Sequence, residues 1–296
     1  MTESAQTPIA STAVRKDLPA PMPVRRDLHF PFPPERINDW HGAGTHVTQF
    51  FNTLSLYFPE GEKFFIQAVR HYRNQITDPT LQQAVAGFIG QEAMHGREHR
   101  AFNALMEDAG LPADRIEQFT VQRLKMAHKI FSPAMQLSMT IALEHLTAIM
   151  AADMLKKPLI LAGSQPDYAR LWRWHALEET EHKAVAFDVW KTVMPPTLGS
   201  YFKRCWGLIQ TSWFFWLFTA IFHARMVRAA QPQQSHLKGY LLLAKFLLIK
   251  PAAWLSLAPA WFSYFKPGFH PWQDDNRAAL AELETLSSEL AGPASP

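Results

Sequence analysis

Two Glu-x-x-His pairs, each with another histidine one helical turn away, constrain this chain more than any other feature. In Gln91-Glu92-Ala93-Met94-His95-Gly96-Arg97-Glu98-His99, Glu92 and His95 are three apart and His99 follows four later. In His175-Ala176-Leu177-Glu178-Glu179-Thr180-Glu181-His182, Glu179 and His182 repeat that spacing, and His175 stands four before Glu179. Residues three and four apart share one face of an α-helix. One such pair arises by chance on many surface helices. Two, in stretches otherwise rich in Ala and Phe, point to two helices turning carboxylates and imidazoles toward a common centre.

Local punctuation places the helices. The spacing predicts one from Pro59 to about Gln75, opened by a proline at its first position. A turn follows at Thr77-Asp78-Pro79-Thr80, then a second helix from Pro79 to Ala109, stopped by Gly110. A short crossover helix is expected over Asp114–Met126. A third long helix spans Pro133–Lys156, before Pro158, and a fourth runs from Asp167 to Met194, ending at Pro195-Pro196. The predicted fold is all-α, a four-helix bundle spanning residues 41–197.

A metal site inside such a bundle also needs a glutamate from each of the other two helices. Glu62 and Glu144 are the candidates. Residues level with each other in an antiparallel hairpin are symmetric about its turn. The midpoint of Glu62 and Glu92 is position 77, on the first turn; that of Glu144 and Glu179 falls between positions 161 and 162, in the loop before Pro166. The predicted ligands are therefore Glu62, Glu92, His95, Glu144, Glu179 and His182. His99 and His175 stand as extra ligands or as groups behind the ligands, and Glu178 competes with Glu179. Four carboxylates and two imidazoles suit two divalent ions, iron first, with manganese or zinc as alternatives. The competing structural readings are a helix-dipole role for Glu62 in its first turn and a buried arginine partner for Glu144.

This ligand order resembles the ferritin-like di-metal carboxylate pattern. The stretches Phe58-Pro59-Glu60-Gly61-Glu62-Lys63-Phe64-Phe65, Gln91-Glu92-Ala93-Met94-His95 and Glu178-Glu179-Thr180-Glu181-His182-Lys183-Ala184-Val185-Ala186-Phe187-Asp188-Val189 resemble the bacterial family described as predicted metal-dependent hydrolases. The resemblance covers about Asp27 to Phe265. The family description implies metal-activated water. The ferritin-like ligand set implies oxidation or hydroxylation of an organic substrate with dioxygen, and with it an electron donor. A non-catalytic metal-binding scaffold is the reading from another class.

The rest of the chain bounds location and partners. Before the bundle, residues 1–40 read as a proline-rich arm followed by an aromatic strap, His29–Trp40, with Arg25 and Arg26 as a solvated patch. After the bundle, residues 198–270 are apolar and 271–296 form a polar helical tail. Cys205–Phe222 is 18 residues without a charge. Tyr240–Phe265 is nearly as apolar but carries Lys245, Lys250, Pro251 and Pro259. A membrane hairpin, helices lying in the bilayer interface and helices packed on the bundle all fit these segments. The chain has no secretory signal pattern and a single cysteine, Cys205. The expectation is a cytoplasmic protein, associated with the inner membrane through residues 200–265, acting on a small hydrophobic substrate and forming a homodimer. A net charge of +3 without a basic run argues against nucleic acid.

Overall fold

The computed structural model describes residues 20–232 and 235–291. Residues 1–19 of the expected arm and residues 292–296 of the expected tail lie outside the described residues. Among the described residues every regular element is helical. In chain order they are α1 (Thr45–Ser55), α2 (Phe58–Tyr72), α3 (Pro79–Asp108), α4 (Ala113–Ile130), α5 (Pro133–Lys156) and α6 (Pro166–His182). There follow α7 (Val185–Val193), α8 (Leu198–Ala230), α9 (His236–Leu248), α10 (Ala258–Ser263) and α11 (Ala281–Ala291), with short 3-10 turns between several of them.

Four helices make the frame of the site. α2 packs on α3 and α5 on α6, while α2 meets α5 and α3 meets α6, which closes a ring of four. Each opens on a proline in its first turn. Three also carry side-chain caps: Asp78 accepts from the Thr80 amide, Ser132 from Met135, and Gln165 from Asp167 and Tyr168. These caps satisfy otherwise orphaned amides and fix where each helix starts, and so the height of the residues along it.

Two apolar cores lie along the ring. One contains Trp40, Phe51, Phe102, Tyr168, Trp174 and Leu177; the other contains Phe64, Phe88, Ile141, Val185 and Trp190. On α3 the Glu92/His95 pair falls between Phe88 of the second core and Phe102 of the first. On α2, Glu62 falls between Phe58, which packs on the first core, and Phe64 of the second. The candidate ligands thus form a polar belt between two apolar layers.

The strap packs its aromatic rings on the helices and carries a 3-10 turn at Pro34–Arg36. Phe30 packs on Trp174 at 5.4 Å, and Phe32 on Phe102 and Tyr168 at 5.4 and 5.1 Å. Trp40 is fully buried, stacks on Tyr168 and donates its indole N–H to Asn52 Oδ1 at 2.8 Å.

Two expectations are corrected. The fourth helix is not continuous to Met194: it breaks after His182, and α7 restarts at Val185. The break coincides with the burial of Lys183, whose ammonium donates to the Asp274 carbonyl and Asn276 Oδ1 and lies 4.1 Å from the Trp272 ring. Arg26 is not solvated: its guanidinium bonds Glu178 and Glu181 on α6. The arm seats on glycines of α3. A Cβ at Gly87 would lie 2.1 Å from the Pro23 carbonyl oxygen, and one at Gly90 would lie 3.0 Å from Arg25 Cβ.

α8 is long and apolar enough to cross a membrane. One side of it docks on the bundle. A Cβ on Gly207 would fall 2.2 Å from Ser138 Oγ and 2.9 Å from the Ser138 carbonyl oxygen of α5. Ser138 donates to the Lys203 carbonyl at 2.8 Å, and buried Arg204 donates to the Tyr264 and Lys266 carbonyls. Because backbone blocks the space at Gly207, Gly207→Ala is expected to lower unfolding stability by roughly 1–3 kcal/mol. Urea denaturation measures this; a neutral result would mean that α8 does not pack on α5.

Candidate metal centre

The bundle gathers all six predicted ligands. Glu62, Glu92, His95, Glu144, Glu179 and His182 are each at most 4% exposed. Three overlapping groups, Glu62–His95–His175, Glu92–His95–Glu179 and Glu92–Glu144–His182, each bring one donor atom per residue within 4.8 Å of one another. Gly96, one turn after Glu92, admits Glu62: a Cβ there would lie 3.0 Å from Glu62 Oε2.

The donor atoms themselves are the test of fit. Both carboxylate oxygens of Glu62, Glu92 and Glu144, together with His95 Nδ1 and His182 Nε2, are buried without a hydrogen-bond partner. Each such atom costs roughly 1–3 kcal/mol unless something answers it. Eight of them converging on one spot suit cations. Glu62 is buried among these groups, and among the described residues Glu144 makes no ion pair with an arginine.

The surrounding bonds aim the imidazoles. His95 Nε2 faces Glu178 Oε2 at 3.1 Å, which leaves Nδ1 as the bare nitrogen. His182 Nδ1 faces Gln91 Oε1 at 3.0 Å, which turns Nε2 toward the carboxylates, 3.1 Å from Glu92, 3.5 Å from Glu179 and 3.6 Å from Glu144. Both supports lead to the arm. Arg26 holds Glu178 Oε1 at 3.1 Å and Glu181 at 2.9 and 3.0 Å; Glu181 accepts from Gln91 Nε2 at 2.5 Å, and Gln91 also donates to the Val24 carbonyl. Glu178 therefore points toward the arm, whereas Glu179 faces the histidines and accepts from Thr147 at 2.6 Å.

A second chain of bonds sets His175. The Ser55 hydroxyl donates to Asn103 Oδ1 at 2.6 Å, so it accepts from His99 Nδ1 at 2.8 Å. His99 Nε2 then accepts from His175 Nδ1 at 2.8 Å. His175 Nε2 in turn lies 3.1 Å from Glu179 Oε1, which makes Glu179 its hydrogen-bond partner. His99 is spent on both sides, while His175 turns Nε2 to Glu179 and lies within ligand reach of Glu62 and His95.

The electrostatics follow from packing carboxylates in a dry interior. Burial, then the charges of Glu92 and Glu179, pushes Glu62 and Glu144 well above the usual carboxyl range. Burial also raises Glu92. Burial opposes charge on Glu179 and His182 as well, yet their mutual attraction wins, holding Glu179 well below and His182 well above their ordinary values. Burial, then His175, keeps His95 neutral. Burial lifts Glu178 to about 7 against the pull of Arg26. Such a cluster resists ionising its four carboxylates together, and two divalent cations would supply the charge that lets them ionise.

An apolar slot of about 50 Å³ reaches the cluster, lined by Phe58, Met150, Met154, Trp172, His175 and Glu179, with Phe246 and Trp254 from the C-terminal segment.

Sequence reasoning missed Arg26, Gln91, Thr147 and the Ser55–Asn103 pair. Gln91 adjoins the first Glu-x-x-His pair and could have been flagged; Arg26 has no local signal, because its partners are more than 150 positions away.

No curated protein and no solved structure matches this chain. A family model does, over residues 24–275. The match takes in the arm that holds Glu178, the four-helix ring and the apolar segment, and the chain belongs to the predicted metal-dependent hydrolase family.

Proposed function

We propose that the chain is a dinuclear iron enzyme that oxidises or hydroxylates an apolar organic substrate with dioxygen. Glu62, Glu92, His95, Glu144, Glu179 and His182 would hold the ions, with His175 as a seventh donor. The observation that carries this reading is the convergence of eight unpartnered donor atoms in a dry belt next to an apolar slot. Two ferrous ions, when bound, supply electrons for the reduction of dioxygen, and an electron donor would restore them. The chain's own part is to fix the donors: Gln91 and Glu178 orient the histidines, Thr147 holds Glu179, and the apolar slot leads an apolar substrate to the cluster. The ring of four helices is compatible with the ferritin-like pattern.

The family description favours a second reading, a hydrolase in which the ions lower the pKa of a bound water. Oxygen uptake by the ferrous-loaded protein separates the two. Consumption of dioxygen beyond the oxidation of its own iron supports the oxidase; ester or amide cleavage with no such uptake supports the hydrolase.

Arg26 ties both histidine supports to the arm. Arg26→Ala is expected to weaken metal affinity about ten- to a hundredfold, the usual cost of losing a group behind the ligands. Competition with a chelator measures it, and unchanged affinity would remove the arm from the site.

A further inference from the structure

The surface around the slot has an unusual composition. Between Asp188 and Asp274 the chain has no acidic residue and nine Lys or Arg. Arg204 is buried; the other eight are exposed or half-buried. On α8 an apolar stripe runs along the exposed side through Phe202, Trp206, Ile209, Trp213, Leu217 and Ile221, and the exposed Arg225 and Arg228 follow it. On α9 and the turn after it, Leu241, Leu248, Ile249 and Leu255 face outward. In that same stretch Phe246, Ala252 and Trp254 face inward and line the slot that reaches His175 and Glu179.

We propose that this acid-free apolar surface docks on an anionic phospholipid bilayer, lying on it rather than crossing it, so that an apolar substrate dissolved in the lipid reaches the slot under α9. The access route rests on the reading of Glu179 as part of the metal centre; the docking does not. Charge selects the occupant. Two copies meeting through this surface would bring cations against cations with no carboxylate to answer them, whereas anionic headgroups complement them. Exposed tryptophans beside lysines and arginines suit the headgroup boundary. A crossing is opposed by the inner side of α8, where Arg204 and His223 bond backbone carbonyls of the protein.

Co-sedimentation of the full chain with phosphatidylglycerol-containing vesicles and with pure phosphatidylcholine vesicles tests this. Binding to the anionic vesicles is expected to be stronger by about tenfold or more and to weaken as salt rises. The triple variant Trp213→Ser/Leu248→Ser/Ile249→Ser, all exposed positions, is expected to lose that binding about tenfold while keeping its helical circular dichroism and metal content. Equal partition onto both vesicles, or a variant that binds like the parent, would overturn the proposal. So would release only by detergent, which means a crossing, or a dimer that the variant splits while vesicles never bind. Vesicle binding that survives in Glu92→Ala/His182→Ala separates the docking from the metal site.

Discussion

The double variant Glu92→Ala/His182→Ala is expected to fall from about two bound metal ions per chain to well below one, and to lose activity on the order of a thousandfold. The two residues come from the neighbouring helices α3 and α6 of the ring and meet at 3.1 Å, with Glu92 belonging to two of the three donor groups. Removing them takes out donors that no neighbour can replace, because the other carboxylates are fixed by their own helices. The stability of the parent protein is expected to depend on metal for the same reason. Ions that bind only the folded chain stabilise it by about 4 kcal/mol when free metal stands a thousandfold above Kd. Chelation is then expected to lower Tm on the order of 10 °C. In the double variant chelation should change little. Elemental analysis and calorimetry on both proteins check this, and undiminished metal in the variant would refute the site.

The second large effect is a loss of stability in mild acid. His41, His145 and His223 are buried, and burial holds each imidazole down to about 4. Each donates one N–H to a backbone carbonyl, of Ile160, Ala260 and His46 respectively. The His41 Nδ1 also accepts from the Ala43 amide, which leaves no room for a second proton. The folded protein therefore keeps these rings neutral, while the unfolded chain protonates them below 6.5. Their folded pKa is lowered, so the stability is complete above 6.5 and falls as the pH drops toward 4. Three such groups give a slope of about 4 kcal/mol per pH unit within that window. Urea titrations at several pH values measure it. His41→Gln is expected to remove about 1.4 kcal/mol per pH unit of this contribution, read as the difference between parent and variant, and a difference that does not change with pH would contradict the buried neutral ring.

How much of this was legible in the chain follows from the range of each interaction. The helix starts were written locally, in Asp78-Pro79, Ser132-Pro133 and Gln165-Pro166, because capping and proline act within one turn. The level of Glu62 with Glu92, and of Glu144 with Glu179, was also readable, because short turns leave antiparallel neighbours little freedom. The break after His182 was not; it coincides with Lys183 reaching Asp274 and Asn276, which stand more than 90 positions on.

By itself, then, the sequence determined an all-α chain and the six side chains that its helices could turn to one level, since helical periodicity and turn length are local properties. Only the tertiary structure decided which nitrogen each histidine offers, that Glu178 serves the arm while Glu179 faces the cluster, and that Arg26 supports both histidines. Those choices depend on hydrogen bonds between residues far apart in the chain, whose partners exist only once the helices and the arm have packed.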